Sequence, residues 1–407
     1  MPQEAGTSTR IAYWNRSLMP PKLRTLLVVL VGGAAVAAVA DRIVSTPGML
    51  SPRDFIEYWA AGRVNLRGGN PYDPRLVLAE QQAVEPHRDG ALMMWNPPPA
   101  LAVYMPLGTV PAKWAALLWC VAQFGAVVGA SALLWREYAP GRPTWGALAA
   151  ALPFVGTWWV VTYGQNTGFL LLGLAGFLHF VRRDRPLAAG ACAALTALKP
   201  HLLAAFGVLL IADALSRRGR RALAAGTGAV AAALVVALVP NPDVLEQFVT
   251  AARNPRPETV PLSGYALPVP AYWLRVWLAR ESFWVQFVPC AVACAALLAR
   301  RLRRGAAWDW GHELPLVVAV SVLATPYGGW IFDLPVLLVP AVWALARLVR
   351  TGHRTGAVVF VAGQAVITAV TFATAGALHA YWWVAPTALA LCLLPFWPGR
   401  VRRMSPH

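Results

Sequence analysis

The chain has 407 residues, of which 58% are apolar and 13% charged, with positive mean hydropathy. That balance excludes a disordered protein and ill suits a water-soluble globule. A formal charge of +17 would point to nucleic acid in a soluble chain, but the positions of the cations read as membrane topology, so membrane lipids and no nucleic acid are the expected partners.

Measured against the ~20 residues that span a bilayer, apolar runs fall at 25–44, 112–135, 144–162, 166–181, 187–215, 221–240, 283–299, 313–325, 330–346, 355–375 and 381–397. Lys199-Pro200-His201 interrupts run 187–215. Dividing it there keeps the Arg clusters in phase and predicts an all-α polytopic protein of about twelve spanning helices. Segments holding 23 of the 35 Lys and Arg residues, from Arg10 through Arg136, Arg182, Arg217, Arg300 and Arg347 to Arg403, then share one side. The positive-inside rule makes that side cytoplasmic. The expected organisation is a cytoplasmic segment 1–24, a transmembrane domain 25–397 with external loops at about 45–111 and 241–282, and a basic tail 398–407, in the cell membrane with both termini inside. Ala38-Val39-Ala40 resembles a signal-peptidase site, although the run before it is long enough to remain as an anchor. Cys120, Cys192, Cys290, Cys294 and Cys392 lie in apolar runs, so neither a disulfide framework nor a thiolate metal site is expected.

The cytoplasmic connections are short and Arg-rich, whereas the external loops mix acids, aromatics, Gly and Pro; the chemistry is expected outside. In the first loop Ser51 is a candidate N-cap with Pro52 at the first helical position, which puts Asp54 at the third, where a helix favours a carboxylate. Asp54, Glu57 and Tyr58 then share a face, with Trp59 turned away. Asp54 reads either as a helix-start carboxylate or as a general base for a sugar or lipid hydroxyl, with Glu57 as the alternative base. Tyr58, Trp59 and Tyr72 are candidates to stack on a sugar ring or members of an interfacial belt. Gly68-Gly69-Asn70-Pro71 ends the helix in a turn, and Pro97, Pro98 and Pro99 after Asn96 force a break near the outer interface.

Further along, Gly164-Gln165-Asn166 forms an external turn or an amide pair for hydroxyls. An ionisable residue at a helix break is a functional candidate: Lys199 suits a phosphate and His201 a hydrogen bond to it, with Arg63 and Arg67 as weaker candidates for that task. The second long loop, with six prolines and Tyr265, Tyr272, Trp273 and Trp277, reads as an irregular cover ending in an amphipathic helix. In the late turn Thr325-Pro326-Tyr327-Gly328-Gly329, Pro and Gly predict irregular backbone, and Asp333 either caps the next helix or meets substrate.

Together DFIEYWAAGRVNLRGGNPYD, WNPPPALAVYMPLG, GQNTGFLLLG, LKPHLL and TPYGGWIFDL resemble, in that order and over roughly residues 25–350, glycosyltransferase family 87. Members include polyprenol-phosphate-mannose-dependent mannosyltransferases and a related arabinofuranosyltransferase. The resemblance implies a GT-C fold, with a site in the first external loop that takes sugar from a polyprenyl-monophosphate carrier and delivers it to a lipid or glycan hydroxyl. It places the catalytic acid at Asp54. It also leaves Lys199, His201 and Arg63 for the donor phosphate, and Glu57, Tyr58, Tyr72, Asn96, Gln165, Asn166, Tyr327 and Asp333 as substrate contacts. An inverting displacement needs one base and no carboxylate nucleophile; no cofactor is expected, and no carboxylate cluster indicates a divalent ion. The family's mannosyltransferases carry a functional His in the late turn where this chain has Asp333, which leaves the donor sugar open. A secondary transporter or a lipid flippase is the competing class, although transporter sites sit near the midplane, where these helices carry almost no charge.

Overall fold

The computed structural model describes residues 41–42, 53–253, 264–374 and 376–396. Two compact units divide the chain, Met1–Leu50 and Ser51–His407. In the first, only Asp41 and Arg42 are described, both helical and exposed. The rest of run 25–44, the Ala38-Val39-Ala40 motif, Ser51, Pro52 and the basic tail lie outside the described residues.

Among its described residues the second unit contains only helices and turns. In chain order it comprises α1 (Phe55–Leu66), α2 (Pro74–Gln82), α3 (Leu101–Gly108), α4 (Ala112–Tyr138), α5 (Trp145–Ala151), α6 (Val155–Tyr163), α7 (Thr167–Arg182), α8 (Pro186–Ala193), α9 (Ala204–Asp213), α10 (Arg217–Leu238), α11 (Val244–Arg253), α12 (Pro270–Leu278), α13 (Val288–Arg304), α14 (Trp310–Leu323), α15 (Leu338–Arg350), α16 (Arg354–Ala373) and α17 (Val384–Leu391). Short 3₁₀ turns join several of them, notably Ala194–Leu198, Pro200–Leu203 and Ile331–Leu337.

Six stretches are long and apolar enough to cross a bilayer: Ala112–Tyr138, Arg217–Leu238, Phe283–Ala307, Ile331–Arg350, Arg354–Ala373 and Leu378–Phe396. The pair α5 and α6, bent by 68°, makes a seventh when taken as one span. Four further apolar helices, Thr167–Arg182, Pro186–Leu198, Pro200–Asp213 and Trp310–Leu323, have only 10–17 residues. The expected count of about twelve is therefore not established. The shortfall has a physical cause, because Pro200 and Pro326 lack the N–H that would continue a helix and bias the preceding residue away from helical backbone.

Ile331–Arg350 forms the centre, with 89% of its apolar window buried, against 11% for Arg217–Leu238. The outer helices turn Val235, Val239, Val292, Val358 and Val366 outward, a surface suited to acyl chains and not to water. Where helices meet, glycine lets the backbones touch: a Cβ on Gly190 would stand 1.9 Å from Ala222 O, and one on Gly156 2.6 Å from Pro335 N. With lipid outside, such close packing replaces the hydrophobic drive that water supplies to soluble bundles. Gly156 thus seats α6 against Ile331–Leu337, and the turns at the ends of those two segments supply much of the site.

Candidate active site

Helix α1 starts at Phe55, with Asp54 as its N-cap and not at the third position. The Asp54 side chain makes no capping hydrogen bond. Its backbone N–H donates to Tyr163 O at 2.8 Å, and its carboxylate accepts from Gln165 Nε2 at 2.7 Å. A carboxylate that leaves its own helix start uncapped in order to meet another segment does not fit the plain capping reading.

Gln165 is held by the end of α6. Gly164 adopts φ +69°, the left-handed conformation that glycine enters without Cβ strain. Gly164 N donates to Val161 O and Gln165 N to Val160 O, the paired bonds of a Schellman cap. So placed, the Gln165 amide links three groups. It donates to Asp54, while its Oε1 accepts from Tyr58 Oη at 2.6 Å and from Lys199 Nζ at 2.7 Å. These contacts fix the amide orientation, since the cation and the carboxylate require opposite ends.

Lys199 follows the 3₁₀ turn Ala194–Leu198 with extended backbone, φ −139° and ψ 74°, as expected of a residue before proline. Its ammonium pairs with Asp333 Oδ1 at 2.6 Å, with both side chains at most 10% exposed. Asp333 also accepts from Thr167 Oγ1 at 3.2 Å and, through Oδ2, from Trp330 N at 3.2 Å. It therefore caps the 331–337 turn and neutralises Lys199 together. His201 stands edge-on to Tyr327, with ring centroids 5.6 Å apart, and its carbonyl accepts from Thr325 Oγ1 at 3.0 Å. Gly328 fits between His201 and Asp333, because a Cβ there would lie 3.0 Å from His201 Nε2 and 3.1 Å from Asp333 Oδ2.

Asp54 lies outside the spanning segments, and its pKa is raised from 3.8 to about 6. Burial is the main cause; the Gln165 hydrogen bond and the Lys199 charge oppose it. Glu57, one turn on and nearly buried, is pushed well above the usual carboxylate range by burial and by Asp54. Burial and their mutual repulsion thus favour the protonated form of this carboxylate pair, against the opposing charge of Lys199. Among the described residues, no group of three His, Cys, Asp or Glu stands ready to hold a metal ion.

Several expected contacts serve the scaffold. Asn96 Nδ2 donates to Leu198 O at 2.6 Å, pinning the backbone just before Lys199, and Tyr72 Oη donates to Asn96 O at 3.0 Å. Asn166 Nδ2 meets Tyr104 Oη at 2.6 Å, leaving Asn166 Oδ1 buried without a partner. Arg63 is not brought to the network. Its Nε donates to Glu80 at 2.8 Å, its Nη1 to Gly108 O at 3.1 Å, and its guanidinium lies 4.8 Å from the Trp59 ring centroid. Arg67 joins the same Glu80. Glu80 claims the two arginines because α2 packs on α1, a tertiary pairing that loop spacing does not disclose.

Arg53, overlooked in the sequence, is exposed beside Asp54 and donates to Tyr163 Oη at 3.1 Å. Thr167 and Tyr104 were also missed, although Thr167 directly follows the Gln165-Asn166 turn. The second long loop is more ordered at its start than expected, opening with helix α11. Farther on, Leu267, Val269 and Ala271 form a small core with Tyr265, Tyr272, Tyr327 and Trp330, so this loop lies on the late turn.

These elements define a multi-span helical membrane protein with a buried acid, amide and ammonium chain at the breaks of its helices. The family model for glycosyltransferase family 87 matches residues 95–326, more than half of the sequence, and the chain belongs to that family. It is accordingly a membrane glycosyltransferase, which sets aside the transporter and flippase readings. No curated protein and no solved structure matches it.

Proposed function

We propose that the protein transfers a sugar from a polyprenyl-monophosphate carrier to a hydroxyl of a lipid or glycan acceptor on the external face, with inversion and with Asp54 as the base. The observation that carries this reading is the Gln165 bridge, which sets the Asp54 carboxylate and the Lys199 ammonium one side-chain amide apart. The acceptor hydroxyl attacks the anomeric carbon while Asp54 takes its proton. The bond from that carbon to the phosphate oxygen breaks, and the phosphate monoester leaves with the electron pair.

Lys199 has three N–H donors, of which Gln165 and Asp333 engage two. The third is left for the leaving phosphate, whose growing charge then competes with Asp333 for the cation. Arg53 takes the supporting role first expected of Arg63, because it neighbours the base. A protonated Glu57 can donate a hydrogen bond to the acceptor, and the Asn166 Oδ1 left without a partner can accept from a sugar hydroxyl.

The test is incubation of the purified protein with a panel of polyprenyl-monophosphate sugars and lipid acceptors, with products read by mass. A transferred sugar in wild type and turnover lowered about 10²–10⁴-fold in Asp54→Asn is the expected result. Near-wild-type turnover in Asp54→Asn removes the base, and turnover only with nucleotide sugars removes the carrier.

A further inference from the structure

A polar cavity opens at the end of the bundle away from the Asp54 network. Helix α7 runs from Thr167 beside Asp333 to Arg182, a rise of about 24 Å, and a cavity of ≈ 430 Å³ lies at that far end. Tyr138, Arg182, Trp343, Arg347 and Arg350 are among its walls. Arg347 and Arg350 are one turn apart on α15, and both are exposed. Among the described residues neither meets a carboxylate: Arg347 lies over the Trp343 and Phe396 rings, and Arg350 donates to Tyr138 O at 3.3 Å.

The cavity's own acids are already engaged. Glu137 pairs with His179, Arg182 and Arg183, and Asp309 accepts from Gly311 N at the start of α14. Independently, Tyr138 is 5% exposed and its hydroxyl has no hydrogen-bond partner. Leaving a buried hydroxyl unpaired is unfavourable, and a ligand oxygen would remove that penalty.

From this combination we infer that the cavity binds the phosphate of an anionic phospholipid from the leaflet bordering the Arg-rich end. The two guanidinium groups engage phosphate oxygens bidentately, the Tyr138 hydroxyl donates to one of them, and Trp343 carries the start of the glycerol and acyl part. The Arg-rich end is the one the sequence assigns to the cytoplasm, where anionic headgroups draw basic pockets between helices. The site is separate from the Asp54 network and does not depend on the reaction proposed there.

Mass spectrometry of the full-length protein in detergent, titrated with phosphatidylglycerol or phosphatidylcholine, tests the inference. Preferential retention of phosphatidylglycerol is expected, falling about 30-fold in Arg347→Gln/Arg350→Gln and to a smaller degree in Tyr138→Phe. Equal retention of the two lipids, or undiminished phosphatidylglycerol binding by the double variant, overturns it. A phosphatidylglycerol carrying a headgroup photo-cross-linker, applied to wild type, avoids reliance on the folding of variants. Labelling of peptides containing Tyr138 or residues 343–350 supports the site, and labelling confined elsewhere refutes it. Saturable inorganic phosphate binding that the double variant loses, without lipid selectivity, replaces the lipid with a soluble phosphate and also overturns the proposal.

Discussion

Asp54 illustrates how a carboxylate at a helix start becomes a base. With its pKa at about 6, it is largely ionised at neutral pH yet a stronger base than a solvated aspartate. Transfer is expected to fall as pH drops through about 6, visible as the acid limb of kcat/KM against pH. Asp54→Asn should cost about 10²–10⁴-fold in turnover. Stability should move the other way. Because the folded pKa lies above 3.8, ionising Asp54 penalises the folded state, beginning as pH rises past the unfolded value and complete above about 6. Asp54→Asn therefore leaves the thermal midpoint at pH 7.5 unchanged or higher; a clear fall would make Asp54 a structural cap. Gln165 supplies the largest opposing influence on this carboxylate. In Gln165→Ala the acid limb should shift to higher pH, whereas a limb that stays in place would show that the amide does not tune the base.

At the scale of elements, the breaks were legible wherever Pro or Gly dictates backbone. Lys199-Pro200, the proline run after Asn96 and the Gly328-Gly329 turn all interrupt helices where the sequence says they must. What each break points toward was not legible. Nothing local reveals that Glu80 captures Arg63 and Arg67, or that Asp333 reaches back to Lys199 across 134 positions of chain. Asp54 was placed three residues too deep in its helix, because proline at a first turn and proline before a helix read alike. The late turn permits a sharper test. Gly329 has φ +69°, and a Cβ there would stand 2.4 Å from Val269 Cγ1. Gly329→Ala combines left-handed strain of about 1–2 kcal/mol with displacement of the 265–271 segment. Loss of thermal stability and activity is expected, and Val269→Ala should restore part of each when added. Absence of recovery would mean that the backbone strain alone does the damage.

Across the whole molecule, the cations and the broken helices divide between two ends. The Asp54, Gln165, Lys199 and Asp333 chain occupies one; the ion pairs Arg301–Asp213, Arg300–Glu313 and Arg183–Glu137 occupy the other. The positive-inside rule predicts an orientation from this polarity, because Arg-rich connections resist translocation. In the orientation proposed above, a lipid-borne phosphate donor at the Asp54 end would arrive from the outer leaflet. Single cysteines in a cysteine-free background measure the orientation directly. Gly90, exposed and with open space where a Cβ would be, marks the Asp54 end, and exposed Ala306 marks the Arg-rich end. A membrane-impermeant maleimide applied to intact cells should modify Gly90→Cys, and reach Ala306→Cys only after permeabilisation. The reverse pattern would turn the base toward the cytoplasm, where soluble nucleotide sugars are at hand and a polyprenyl carrier brings no advantage.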